Sequence, residues 1–384
     1  MLLFLGYGNA YSLGVFFQPL AAEFNANRAE TSLVFSVVGG LFSTLGIVSG
    51  PAADRFGTRP VCLFGMLAMA AGLIFASTAD ALWQVYIGFG VGVAFGMGFA
   101  FAPANAGLQR WFTRRRGLAS GLASTGIAIS ILVFPPLVAV LIGWRDWRTA
   151  MLFAGVLTLV VGALAALLMG DPPGTIRSTK ASAGGAGSFD LKRALMSRGF
   201  VMLYLSSMFC CFGFFIPFVH LVPYAIDQGL GESNGIYLVA MIGVSSLIGR
   251  VLLAPASDRL GRRNLLAAMY LGMGLGLLFW YIGGGMAMLS LFAVVFGVSH
   301  GGYVGMLAPI VAEYFGTERI GSVLGCFMSN IALGGFLGPW LTGYAFDLWG
   351  SYDWPIVVAA GLGVVAGLCA MAMPARAYGA TAFQ

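Results

Sequence analysis

The chain has 384 residues, of which 59% are hydrophobic and only 9% are Asp, Glu, Lys or Arg. A soluble globular domain is about 25% charged, so a water-soluble enzyme, a nucleic-acid binder and a disordered linker protein are excluded. The net charge of +6 is no sign of nucleic acid, because its placement follows membrane topology.

A bilayer-crossing helix needs about 20 apolar residues, and at about 32 residues per span with its loop the chain has room for twelve spans and little else. Apolar runs place them at 2–22, 31–50, 60–79, 82–106, 117–142 and 148–169, then at 199–225, 233–254, 264–284, 286–313, 320–344 and 354–374. The first residues have no basic n-region and no small-residue cleavage site, so they read as the first span rather than a removable signal. The one long polar stretch, 170–198, opens on Asp171, Pro172 and Pro173, is rich in Ser, Lys, Gly and Ala, and ends near Lys192 and Arg193. Such a composition makes a flexible linker. The expected fold class is an all-α membrane protein of twelve transmembrane helices in two pseudo-symmetric six-helix bundles, 1–169 and 199–384, joined by the linker 170–198.

With the N-terminus in the cytoplasm, the inner segments hold sixteen basic residues, among them Arg55, Arg59, Arg110, Arg114 to Arg116, Arg259, Arg262 and Arg263. The outer segments then hold three, Arg28, Arg145 and Arg148. The positive-inside rule favours that orientation, with both termini cytoplasmic. The five cysteines lie in apolar runs with no CxxC or His-containing metal spacing, so neither a disulfide framework nor a metal site is expected.

The halves repeat. PAADRFGTR at 51–59 returns as PASDRLGRR at 255–263, an offset of 204 residues, and the same offset pairs Arg115 with Arg319, Gly117 with Gly321 and Gly121 with Gly325. Internal duplication about a central linker is a transporter signature, with the substrate site near the midplane between the halves. A DRxGxR loop after span two, repeated after span eight, resembles the major facilitator superfamily. An Asp near a helix end pairs with an Arg and with exposed ends of neighbouring helices, so Asp54, Arg55, Arg59, Asp258, Arg259 and Arg263 are expected to form a conformational latch.

Three segments resemble the monocarboxylate transporter family: YSLGVFFQPLAAEFNANRAETSLVF at 11–35, QRWFTRRRGLASGLASTGI at 109–127, and GTERIGSVLG with FLGPWLTGYAFD within 316–347. The second matches that family's signature ahead of and within span five. The family's other signature, an acidic residue and tryptophans opening span one, is missing from these residues, as expected either of a truncated N-terminus or of a protein that lacks it. The resemblance implies a bacterial-type member in the inner (cell) membrane, carrying a short monocarboxylate of the lactate or pyruvate type with a proton by alternating access.

Arg250 lies in LVAMIGVSSLIGRVLLAPASDR, eight residues before Asp258, and is the one Lys or Arg within any span. A guanidinium stays charged and is costly in a bilayer unless it faces water or an anion. Its planar fork matches a carboxylate at two points. In the family resembled, an arginine at this place binds the carboxylate; a single cation, without the extra span-eleven lysine of the oxalate/formate exchangers, suits a monoanion. Animal members carry an aspartate where this chain has Ser246 and a lysine where it has Tyr11, both linked to proton coupling, while the tyrosine one turn earlier is retained as Tyr7.

The groups that titrate near neutrality are His220 and His300. His220, between Pro217 and Pro223 where a helix break is expected, is the proton-coupling candidate. Either histidine also reads as a helix-packing hydrogen bonder, His300 more so. Tyr7, Tyr11, Ser246, Tyr303 and Asn330 complete the expected substrate site with Arg250 and His220. No HExxH, paired carboxylates or nucleophile–base arrangement appears, so no enzyme is expected, nor a cofactor, a nucleic acid or an obligatory protein partner. An organic anion exchanger without proton coupling is the alternative.

Overall fold

The structure, a computed structural model, describes residues 1–111, 116–170, 191–283, 285–315 and 320–374. The side chains at 54, 106, 108–110, 116–121, 191–192, 254–255, 258–259 and 320–322 also lie outside the description.

The chain is helical throughout the described residues. Span one is α1 (Leu2–Tyr11) and α2 (Leu13–Phe24), broken at Ser12. Span two is α3 (Arg28–Phe56), whose first turn is closed by a capping box between Asn27 and Glu30. Span three is α4 (Thr58–Ser77). Span four joins α5 (Leu82–Val85), a π segment at Tyr86–Val91 and α6 (Gly92–Trp111). Span five is α7 (Arg116–Trp144). Span six joins α8 (Trp147–Leu157), a second π segment at Thr158–Gly162 and α9 (Ala163–Leu167). The Asp146 carboxylate caps α8 through the Thr149 N–H, which holds that carboxyl below its ordinary range.

A short α10 (Leu191–Leu195) precedes span seven, which is α11 (Arg198–Phe214) and α12 (Ile216–Asp227). Then come α13 (Glu232–Leu260), α14 (Arg262–Ile282) and α15 (Met286–Phe315). Span eleven is α16 (Ile320–Met328) with α17 (Asn330–Trp349), and span twelve is α18 (Asp353–Met371). Eleven helices among the described residues are long and apolar enough to cross a membrane, and α2 is a shorter apolar helix. Large apolar side chains such as Val140, Leu164, Leu168 and Leu368 are exposed on the bundle's flanks, where a bilayer rather than water meets them.

The breaks have local causes. Before the first, the Asn9 amide donates to the Leu5 carbonyl at 2.8 Å and the Ser12 hydroxyl to the Gly8 carbonyl at 2.7 Å. In span eleven the Ser329 hydroxyl bonds the Cys326 carbonyl at 2.7 Å and the Asn330 amide bonds the Phe327 carbonyl. Side chains that bond back onto the preceding turn compete with the helix ladder and bend it. In span seven the break falls at Phe215, just before Pro217 at the start of α12, where a missing N–H costs nothing. The expected break around His220 is thus displaced toward Phe215, and α12 runs on through His220 and Pro223.

The repeated DRxGxR segments are not loops. Helices α3 and α13 continue through them, and one glycine alone, Gly57 (φ 92°) or Gly261 (φ 82°), separates each from the next helix. A positive φ of this kind is open to glycine and strained for other residues. The Arg59 Nε donates to the Met169 carbonyl at 2.8 Å, and the Arg263 Nη1 to the Met373 carbonyl at 3.0 Å. Each arginine therefore braces the end of the last span of its own half, not the opposite half. Arg55 is exposed, its guanidinium 5.2 Å from the Phe56 ring. The expected latch side chains of Asp54, Asp258 and Arg259 lie outside the described residues.

The halves meet along two matching seams. Helix α3 packs on α17, and α13 packs on α7. At the first seam a Cβ on Gly39 would lie 2.5 Å from the Gly335 carbonyl oxygen; at the second, a Cβ on Gly243 would lie 2.7 Å from the Leu132 nitrogen and 3.1 Å from the Ile131 carbonyl carbon. Gly243 is Gly39 plus the repeat offset, and Gly335 is Ile131 plus the same offset. Small residues let membrane helices come into backbone contact, and here they do so at equivalent places.

One end of the bundle is tied across the halves. The Arg28 Nη2 pairs with the Asp227 Oδ1 at 2.7 Å, and its Nη1 bonds the Tyr352 hydroxyl. The Asp347 carboxylate accepts from the backbone N–H groups of Arg28 and Ala29 at 3.0 and 2.8 Å, completing the start of α3 from the end of α17. The Arg28 guanidinium also lies 3.9 Å above the Phe346 ring. Burial keeps the Tyr352 phenol protonated well beyond the ordinary range, so it stays a neutral partner.

Candidate functional site

Arg250 sits on α13 and is 4% exposed. Its Nη1 donates to the Ser124 carbonyl of α7 in the first half, whereas its Nε and Nη2 have no hydrogen-bond partner among the described residues. A buried guanidinium left half unpaired is costly by several kcal/mol. An anion with two acceptor oxygens is the ligand that would satisfy it.

Tyr7 and Tyr11 come to it from α1. They are one turn apart, their rings 5.7 Å apart, as i and i+4 on a helix require. The Arg250 charge acts on both phenols. Tyr7 packs against Phe42 and Phe101, at 6.3 and 6.2 Å between ring centres. Tyr11 lies 4.2 Å from the Phe218 ring of α12. Span one thus brings two hydroxyls of the first half to a cation of the second.

Ser246 is one turn before Arg250 on α13. Its hydroxyl is 3.0 Å from the His300 Nδ1 on α15. Contact between the two backbones makes this possible, since a Cβ on Gly301 would overlap the Ser246 carbonyl. His300 is fully buried, with the rings of Phe214, Phe218 and Phe296 at 4.5, 5.6 and 6.2 Å. Its Nε2 has no partner.

Tyr303 and Asn330 form a neighbouring group. The Tyr303 hydroxyl is 2.6 Å from that of Ser207 on α11, and its ring is 5.3 Å from Tyr270. The Cys211 Sγ is 3.9 Å from the Asn330 Oδ1. His220 stands apart from Arg250: its Nε2 is 2.9 Å from the Pro339 carbonyl of α17, and its ring neighbours are Phe17 at 5.6 Å and Tyr352 at 5.4 Å. It belongs to the Arg28 end of the seam. The structure therefore brings together Arg250, Tyr7, Tyr11 and Ser246, sets Tyr303 and Asn330 beside Cys211, and places His300, not His220, next to the arginine's helix turn. Sequence reasoning missed the Arg28 cluster, although Arg28 was one of three basic residues on its side, and did not place His300 beside Ser246, although Gly301 directly after it signals a close helix approach. Among the described residues no group of His, Cys, Asp and Glu is placed to hold a metal ion.

Twelve spans in two repeats, broken helices at mid-height and a buried cation between the halves, Arg250, the one buried Lys or Arg among the described residues, define a membrane solute carrier. The family model described as Major Facilitator Superfamily matches residues 1–286 and 237–381. Human monocarboxylate transporter 11 is 31% identical over 366 residues, covering 91% of this chain and 75% of that protein. Monocarboxylate transporter 13 from Rattus norvegicus is 32% identical over 360 residues, covering 92% and 82%. The crystal structure of the human organic anion transporter MFSD10 (TETRAN) has a TM-score of 0.72 at 16% identity, over 96% of this chain and 98% of that one; at that identity it speaks for the fold alone. The chain belongs to the major facilitator superfamily and, within it, to the family of the monocarboxylate transporters. It is an integral membrane solute transporter, not an enzyme. These relatives are animal proteins, so the expected bacterial type and bacterial inner membrane find no support in them.

Proposed function

We propose that the protein carries short-chain monocarboxylates of the lactate or pyruvate type together with a proton, by alternating access, with both termini in the cytoplasm and the Arg28 end outside. The observation that carries this reading is Arg250, buried between the halves with two of its three guanidinium nitrogens unpartnered. A carboxylate would take those two donors, with Tyr7 and Tyr11 beside it, Ser246 one turn away, and Tyr303 and Asn330 in the adjoining group. Binding there spans both halves, because Tyr7, Tyr11 and the Ser124 carbonyl belong to the first and Arg250 to the second. A ligand shifts a carrier only through its differential affinity for the two states, and bridging the halves supplies that difference. In this reading Arg59 and Arg263 act as supports at the inner end, holding each half rigid as it rocks.

The test is uptake of radiolabelled L-lactate into liposomes containing the purified protein. Uptake rises as the external pH falls below the internal, and Arg250→Ala abolishes it. Lactate counterflow that ignores the proton gradient would instead make the protein an exchanger.

A further inference from the structure

Ser246, one turn before Arg250 on α13, does not titrate near neutrality, so proton movement needs another group. We infer that His300 is the proton-carrying residue, held against the anion site by Ser246. This rests on the proposed proton-coupled reading and names the group that performs it.

Four observations converge. Ser246 bonds the His300 Nδ1 at 3.0 Å and stands one turn from Arg250 on the same helix. The imidazole Nε2 is fully buried without a partner among the described residues, and a buried polar atom left unsatisfied points to a partner or a role. The ring abuts Phe218, which in turn packs on Tyr11 beside the guanidinium. Finally, Gly301 lets α15 touch the Ser246 backbone, which fixes the ring's place independently of its charge.

The groups facing His300 set its behaviour. From α13 these are Ser246 and the Arg250 guanidinium, whose charge acts on the ring. The helices α11 and α12 present Phe214 and Phe218, and α15 itself presents Phe296. Tyr303 lies one turn on along α15 and Tyr11 on the far side of Phe218, and both are neutral when protonated. No described carboxylate faces the ring to hold an imidazolium. Burial opposes a positive charge on the ring, and the nearby Arg250 cation adds to that opposition. A carboxylate seated on Arg250 removes the second opposition and supplies a counter-charge against the first, so the proton enters with the anion, and by reciprocity the proton tightens the anion. The empty site then carries one positive charge, and so does the site holding both anion and proton. The anion-loaded, unprotonated site differs from both, and that difference is what couples the two ions. His220 lacks this placement, since its partners are Pro339, Phe17 and Tyr352.

The experiment compares wild type with His300→Gln in proteoliposomes, using L-lactate as probe. Wild type accumulates lactate when the outside is more acidic; if it does not, the proton-coupled reading itself fails, before His300 is at issue. His300→Gln fixes the anion-loaded site in its unprotonated charge state, so the expected result is at least a tenfold loss of both gradient-driven accumulation and counterflow at equal pH, while a melting temperature in detergent close to that of wild type shows that the variant is folded. Gradient stimulation equal to wild type would overturn the proposal. Ser246→Ala gives a second reading through the pH profile, whatever its rate: a shifted pH midpoint of uptake supports the assignment, and an unmoved midpoint overturns it. Proton uptake by detergent-solubilised protein on lactate addition, read with a pH dye, tests the same point directly. One proton per lactate for wild type and none for His300→Gln is expected, and equal uptake by the two would overturn the assignment.

Discussion

The two halves of this transporter share a scaffold and differ in chemistry. Each turns a corner on a positive-φ glycine, Gly57 or Gly261. Each braces its last span with an arginine, Arg59 on Met169 or Arg263 on Met373, and those carbonyls are themselves one repeat offset apart. The seams at Gly39 and Gly243 are equivalent too. Yet where the second half carries Ser246, Arg250 and His300, the first carries Phe42, Gly46 and Gly96 at the matching offset. Duplication supplied the frame twice, while the charge proposed to take the substrate stands in one half and Tyr7 and Tyr11 in the other. A second buried guanidinium would leave one uncompensated positive charge beside a single bound monoanion.

The sharpest way to break this comparison is to exchange substitutions between matched sites. Arg250→Ala should lower lactate uptake at least about 100-fold, equivalent to roughly 3 kcal/mol of lost charged contact, whereas Gly46→Ala should leave it within about twofold, because nothing lies within 4 Å of a Cβ there. Equal effects would mean that the halves do not divide the labour as described; labelled uptake into proteoliposomes reads both.

The seams come next. Gly39→Leu and Gly243→Leu should each cut transport about tenfold or more, since each side chain would meet backbone across the seam, and overpacking of this kind is destabilising. Similar losses sharpen the picture of paired seams; a loss at only one would show that a single seam carries the motion.

The Arg28 cluster has no counterpart on the opposite offset, where Glu232 stands. Arg28→Asp should reduce transport several-fold and the double exchange with Asp227→Arg should recover about half of it. Recovery is partial because Tyr352 and Phe346 also hold the guanidinium. The smallest effects belong to the braces. Arg59→Ala and Arg263→Ala should each lower the melting temperature of the solubilised protein by a few degrees at most, in step with about 1 kcal/mol for one partly exposed hydrogen bond, and to the same extent in both.

Much of this frame was legible in the chain. Apolar run length located the spans to within a few residues, because crossing a bilayer demands a minimum helix length. The exceptions are instructive. Span one reads as one apolar run, yet Ser12 divides it; the signal was present in Asn9 and Ser12, whose side chains bond back on their own helix, but hydropathy does not register hydrogen bonding. The DRxGxR segments read as loops because they are charged, yet α3 and α13 carry through them; charge ends a membrane span without ending a helix. For the site, Arg250 stood out as the one cation within a span, and Tyr7 and Tyr11 followed from helical spacing and family resemblance. His220 was favoured over His300 because its prolines suggested a break, whereas the break fell at Phe215 and left His220 in an intact α12.

The sequence alone determined what depends on local composition and on repetition: a membrane carrier of twelve spans, its duplication at an offset of 204 residues, its family, and the isolated charge at Arg250. Tertiary structure decided what depends on which helix faces which. That Ser246 meets His300 across 54 positions, that Arg28 meets Asp227 across 199, and that Arg59 grips Met169 and not the other half are outcomes of backbone-close packing. Glycine seams and helix breaks set that packing, and a one-residue shift along either helix would undo it, which is why no count of residues could supply it.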